Sequence, residues 1–226
     1  MQKNVSPAAV RSSAWWWSGA LVLLILLLQA GGPAVQQAFR LDAAALSQGE
    51  WWRLLTAHLV HLSWPHALLN AVGVVTCCVF APQIFDRQLL WRLGALALGI
   101  SLCLWRFSPV GLPYVGLSGV LYGLFALGLV PRARQRDGYA LAALIIVTLW
   151  MVWQGFRGPL PAEEAAIGGP IISAAHFYGY GLALLMLLAA CGVRRLHHPI
   201  RRQQGHRQGG ASRNARHQQE QQGKAR

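Results

Sequence analysis

The sequence predicts an all-α membrane protein, a bundle of six transmembrane helices with both termini in the cytoplasm. Three observations carry this expectation. Only 12% of the 226 residues are charged and 54% are hydrophobic, whereas a soluble domain carries roughly a quarter charged residues. Ten Trp and 24 Gly lie among long Leu/Ala/Val runs, the composition of membrane helices. The formal net charge of +13 sits in a few segments and not on one basic face. That removes the ground for a nucleic-acid-binding domain, whose footprint is a basic patch on the folded unit.

A helix needs about 20 mostly apolar residues to cross the roughly 30 Å hydrocarbon core. The candidate spans are residues 14–30, 64–82, 89–107, 117–130, 139–155 and 170–193. Lys3 and Arg11 precede the first run, as in a signal peptide. Its Trp15-Trp16-Trp17 start reads instead as an interfacial anchor, and Gln29-Ala30-Gly31-Gly32-Pro33 is a poor cleavage site. Pro65 near the start of the second span fits a first helical turn, where its missing N–H is not needed. The third carries little polar beyond Ser101, and the fourth ends ahead of Pro131 and Arg132. Cys77, Cys78, Cys103 and Cys191 all fall inside spans without CxxC spacing and read as small buried hydrophobes.

Charge sets the orientation. With both termini inside, the inner segments hold 16 of the 20 Lys and Arg, with Asp86, Asp137 and Glu220. The outer loops keep Arg40, Arg53, Arg106 and Arg157 against Asp42, Glu50, Glu163 and Glu164, a net of zero. This is the positive-inside pattern. It divides the chain into a cytoplasmic N-terminus (1–13), a membrane domain (14–193) and a basic, disordered cytoplasmic tail (194–226). The tail reads either as a topology signal or as a contact for anionic lipid or RNA. Its four His have no ligand spacing, so no metal and no cofactor is expected.

Polar groups inside spans are costly and mark function. His66 and Asn70 are four apart, hence on one helix face. They read as a mutually hydrogen-bonded pair or as site residues. Gly116-Leu117-Ser118-Gly119 opens the fourth span. With Arg132 at the inner boundary, Ser118 lies about 21 Å up the helix, on the order of 10 Å below the outer boundary. The backbone leading into it must then line a water-accessible cavity. A submerged helix N-terminus bearing a serine suits a nucleophile, because free N–H groups and the dipole favour an oxyanion. The alternative is packing, since Gly119-xxx-Gly123 also makes a close-approach face. His176 lies beside a seam of small residues at Ala175, Gly179 and Ala183. It reads as a packing residue, part of a proton path, or the base for Ser118, about 27 Å above Arg194.

Together these residues resemble the rhomboid intramembrane serine proteases, from Trp52 to Ala183. Trp52-Arg53, His61, His66-xxx-Asn70, Gly116-Leu117-Ser118-Gly119, Tyr122 and Ala175-His176-Phe177-Tyr178-Gly179 stand in the family's order. The one departure is Ala183, where the family usually has glycine. The resemblance implies a six-helix rhomboid-like bundle. It also implies a Ser118–His176 dyad, an oxyanion site of the Ser118 N–H with His66 and Asn70, and supporting roles for Gly116, Gly119, Tyr122 and Gly179. The run Gly49-Glu50-Trp51-Trp52-Arg53 and the short chain are most similar to the rhombosortase branch. That branch is associated with bacterial envelopes and with surface proteins ending in a glycine-glycine motif, a hydrophobic helix and a basic end. The implied partners are membrane-anchored protein substrates and the lipid bilayer, with no specific nucleic acid; the implied location is a bacterial inner membrane. The alternatives are a general rhomboid protease of single-span proteins, a non-catalytic rhomboid-like chaperone, and a proton-coupled transporter. His61 is assigned a structural hydrogen bond, His58 an interfacial position, and Trp51-Trp52 with Arg53 an interfacial anchor.

Overall fold

The computed structural model describes residues 7–108 and 113–193, the first six of these by backbone alone. The basic tail 194–226 and residues 1–6 lie outside the described residues. Among the described residues every regular element is a helix, joined by turns and loops, with an isolated antiparallel bridge between Leu41 and Tyr114. In order the helices are α1 (Pro7–Ala30), α2 (Gly32–Phe39), α3 (Ala43–Ser47), α4 (Arg53–Thr56) and α5 (Trp64–Phe80). A 3-10 turn at Pro82–Ile84 leads to α6 (Leu89–Phe107), α7 (Ser118–Arg134), α8 (Gly138–Arg157) and α9 (Pro161–Ile167). The last is α10 (Ser173–Val193). Chain packing separates Met1–Leu184 from Leu185–Arg226, and every element of the site lies in the first unit.

Each of the six expected segments is helical. Among the described residues four helices are long and apolar enough to cross a membrane: Ser13–Ala30 within α1, α6, α8 and α10. The apolar α5 is shorter, at 17 residues. So is α7, which also carries Pro131, Arg132 and Arg134. Only 17% of the α8 window is buried, and Leu27, Leu90, Ile146 and Leu149 are each more than 60% exposed. Apolar side chains facing outward along whole helices require lipid as their solvent, so this is an integral membrane protein.

The helix ends differ from the sequence expectation for local reasons. Ser63 caps α5 through its Oγ, which accepts the His66 N–H at 3.3 Å. Helix α7 does not stop before Pro131. A proline there forfeits one backbone bond, but the last turn is tied down by Arg132, whose Nε donates to Asp137 at 2.9 Å and whose guanidinium also donates to the Phe80 carbonyl. Helix α10 starts at Ser173, after Pro170, because the Ile171 N–H donates to the Glu164 carboxylate at 2.9 Å and holds residues 170–172 out of the helix. The segment from Gly31 to Ser63, expected as an outer loop, folds into three short helices. Asp42 caps α3 by accepting the N–H groups of Ala44 and Ala45. Of the cysteines, Cys77 and Cys78 are buried as expected, whereas Cys103 is half-buried and Cys191 exposed. On an apolar helix, lipid accepts a thiol as readily as a core does.

Candidate active site

Ser118 is the first residue of α7, following the N-cap Leu117. Its N–H and the next ones have no partner inside the helix. The turn before it depends on Gly116, whose φ of +117° disfavours any residue with a side chain. A Cβ there would lie 2.8 Å from Cε1 and 2.9 Å from Nε2 of His66. Backbone bonds hold this turn to the preceding segment. Leu41 and Tyr114 exchange N–H···O bonds of 2.9 and 3.0 Å, and the Gly116 N–H donates to the Ala57 carbonyl at 3.0 Å.

Ser118 Oγ and His176 Nε2 are 2.9 Å apart. For Ser118 to donate, Nε2 must be the unprotonated nitrogen of a neutral ring, which places the hydrogen on Nδ1. Nδ1 is buried without a hydrogen-bond partner, so among the described residues no carboxylate completes a triad. Instead Tyr122, one turn along α7 from Ser118, stacks on the imidazole at 4.5 Å with an interplanar angle of 23°. The small residues explain how the two helices come this close. A Cβ on Gly119 would lie 2.7 Å from the Ala175 carbonyl oxygen, and one on Gly123 would lie 2.8 Å from that of Gly179. Gly179 itself abuts the Gly119 carbonyl, and Ala175 and Ala183 are fully buried. Glycine at these positions lets two backbones touch.

His66 and Asn70 do not bond to each other through their side chains. The Leu62 N–H donates to His66 Nδ1 at 3.3 Å. That leaves the hydrogen of a neutral ring on Nε2, the nitrogen directed at the Gly116 turn. Asn70 Nδ2 donates to the His66 carbonyl at 3.0 Å, while its Oδ1 is buried without a partner. Ser118, His176, His66, Asn70 and Tyr122 all line one cavity of about 580 Å³. Gly116, Gly119 and Gly179 do not line it; they shape its wall by close approach. The remaining lining is mostly apolar, including Leu121, Phe125, Ile146 and Trp150. Such a site suits an extended apolar chain passing a hydroxyl–imidazole pair and an N–H donor.

Several surrounding residues depart from the sequence reading. His58 is not interfacial: it is 1% exposed, with Nε2 at 3.0 Å from both the Ala97 carbonyl and Ser101 Oγ. Burial lowers its pKa to about 4, against the opposing pull of the Ala97 and Gly116 backbones. His61 makes no side-chain hydrogen bond; both ring nitrogens are buried and unpartnered, and the ring meets that of His66 edge-on at 4.9 Å. Burial, reinforced by the neighbouring His66 and His58, lowers its pKa to about 3. Arg53 is not part of an interfacial anchor. It is 8% exposed, bonds Glu50 through Nε at 2.6 Å, and donates to the carbonyls of Gln37 and Arg40 at 2.7 and 2.9 Å. Trp51 and Trp52 are half-exposed, as an anchor requires. The i,i+3 spacing of Glu50 and Arg53 was the available signal for that pair. Ser63 was missed entirely: besides capping α5, its hydroxyl donates to the Ile167 carbonyl of α9 at 2.7 Å. Nothing local in the sequence announces a contact between residues so far apart.

The family model described as Rhomboid domain matches residues 48–192. The chain is 33% identical over 87 residues to the "Putative rhomboid protease YdcA" of Bacillus subtilis (strain 168), covering 36% of this chain and 42% of that protein. It is 29% identical over 134 residues to "Rhomboid protease GluP" of the same organism, covering 56% of this chain and 25% of that protein. The chain thus spans less than half the length of either relative.

Proposed function

Because this chain belongs to the Rhomboid domain family, we propose that it is an intramembrane serine protease in which Ser118 and His176 act as a dyad on membrane-anchored proteins. The observation that carries the reading is the 2.9 Å contact of Ser118 Oγ with His176 Nε2 at the start of a helix. His176 takes the Ser118 proton as Oγ attacks the scissile carbonyl and forms a tetrahedral adduct. The negative oxygen is received by the Ser118 N–H together with His66 Nε2–H and, once its bond to the His66 carbonyl is released, Asn70 Nδ2–H. The C–N bond then breaks, and His176 passes its proton to the departing amine. In the second half His176 deprotonates a water that attacks the acyl ester, releasing the new carboxyl end and restoring Ser118. Tyr122, stacked on the imidazole, orients a base that has no carboxylate behind it. In this reading the six helical segments cross the membrane with both termini in the cytoplasm, of a bacterial inner membrane, and the cavity opens to the outer side. The charge split of 16 inner against four outer basic residues supports that orientation.

The test is labelling of membranes with a serine-reactive fluorophosphonate. Wild type labels, and Ser118→Ala and His176→Ala do not. A fully folded His176→Ala protein that labels at the wild-type rate overturns the dyad. The finer reading, rhombosortase-like processing of C-terminal glycine-glycine signals, is favoured by the Gly49-Glu50-Trp51-Trp52-Arg53 run. Reconstituted enzyme offered a glycine-glycine tail substrate and an ordinary single-span substrate together should then prefer the former; equal cleavage leaves a general rhomboid protease.

A further inference from the structure

Three buried polar side chains beside the nucleophile turn have no part in the chemistry just described. Tyr114, Ser101 and His58 are 4%, 0% and 1% exposed. Burying such groups is costly unless they are bonded; Ser101 and His58 are bonded to each other, and the Tyr114 ring packs against the imidazole. Ser101 Oγ donates to the Leu54 carbonyl at 2.7 Å. His58 Nε2 lies 3.0 Å from the Ala97 carbonyl, which can only accept, so Nε2 carries the hydrogen and Ser101 Oγ is its second acceptor. The imidazole so fixed packs edge-on against the Tyr114 ring, at 5.3 Å and 61°. Tyr114, pinned to Leu41 through both its backbone groups, donates its hydroxyl hydrogen to the Gly116 carbonyl at 2.8 Å.

That last bond bears on catalysis through peptide geometry. Gly116 lacks a Cβ and sits at positive φ, so sterics restrain its backbone little. The peptide plane that starts at its carbonyl is rigid. Fixing the carbonyl therefore fixes the Leu117 N–H on the opposite edge and the approach of the chain to Ser118. Resting on the protease reading above, we propose that Tyr114, braced by His58 and Ser101, is a positioning residue that sets the backbone of the nucleophile turn.

The experiment compares kinetics of purified full-length variants on a single-span substrate with the rate of fluorophosphonate labelling of Ser118. Tyr114→Phe keeps the ring and removes the clamp. Its kcat is expected to fall about tenfold, below the 10²–10³ loss for deleting an oxyanion donor outright. KM should stay within twofold, and the labelling rate should fall by the same factor as kcat. His58→Leu should do the same. His58→Gln, whose amide N–H can still reach the Ala97 carbonyl, should recover at least threefold of the loss. Should Tyr114→Phe not accumulate in membranes, the His58 pair carries the same comparison. Wild-type kcat and labelling in folded Tyr114→Phe, or a loss confined to thermal stability, overturns the proposal. So does equal kcat in His58→Leu and His58→Gln. A wild-type enzyme that neither cleaves nor labels overturns the protease reading, and this inference with it.

Discussion

Replacing Gly116 by alanine tests the proposed site at its tightest point. The new Cβ would stand 2.8 Å from His66 Cε1, where ordinary contact begins at 3.4 Å. The ring would have to move by roughly 0.6 Å, the difference of those two distances. It has little freedom to do so: Nδ1 is held by the Leu62 N–H, and the His61 ring stands edge-on beside it. A shift of that size takes Nε2–H out of hydrogen-bond range of an oxyanion, and losing one such donor costs about 10²–10³ in rate, or about 3–4 kcal/mol. Alanine at φ +117° also strains the backbone by about 1–3 kcal/mol. The two effects are separable. Gly158 has φ +80° with nothing within 4 Å of its would-be Cβ, so Gly158→Ala carries the strain without the collision. The assay is kcat on a single-span substrate, normalised to folded enzyme by size-exclusion profile and thermal unfolding in detergent. Both variants should unfold a few degrees lower, and only Gly116→Ala should lose activity. A folded Gly116→Ala enzyme within threefold of wild-type kcat would refute the placement of His66 as an oxyanion donor.

Three further outcomes follow from the same geometry. Tyr122→Phe should keep the stack on His176 and near-wild-type kcat, while Tyr122→Leu should lower kcat roughly fivefold, equivalent to the ~1 kcal/mol of a ring stack; equal effects would show that the ring does not orient the base. Arg53→Lys, read by thermal unfolding, should cost about 2–3 kcal/mol, because an ammonium cannot serve Glu50 and two carbonyls at once; an unchanged midpoint would deny the guanidinium its bracing role. Stability should also depend on pH. With a folded pKa near 4 and an unfolded one of about 6.5, His58 stays neutral in the fold while the unfolded chain takes up a proton. Its contribution is full above about pH 6.5 and is lost as pH falls toward 4, by about 3 kcal/mol. His58→Gln should flatten that slope in an unfolding series from pH 7.5 to 4.5; an unaltered slope would place the titration elsewhere.

The legible part of this protein was the part governed by repetition along one helix. Hydropathy located six helical segments, because lipid imposes the same demand on every outward residue. Four-residue spacings put Ser118 with Tyr122, and Ala175 with Gly179, on common faces. The illegible part was governed by contacts across sequence distance. His58 looks like a loop residue until α6 supplies the Ala97 carbonyl and Ser101. Arg53 looks like part of an interfacial anchor until the end of α2 turns two carbonyls onto it. Asn70 looks like a partner for the His66 ring, but its amide finds the closer acceptor, the carbonyl one turn back in its own helix. The order of motifs foretold the meeting of Ser118 and His176, but not that backbone would touch backbone beneath them.

That contact between Gly119 and Gly179 makes the bundle a fixture with no adjustable part. Where side chains separate two helices, their spacing drifts as rotamers exchange and as lipid or detergent changes the pressure on the bundle. Here the main chains are the stops. A two-membered hydrogen bond such as Ser118–His176 can therefore hold its length without a third group to tension it. The corollary is brittleness: the pair tolerates a change of solvent far better than it tolerates one added methyl between the helices.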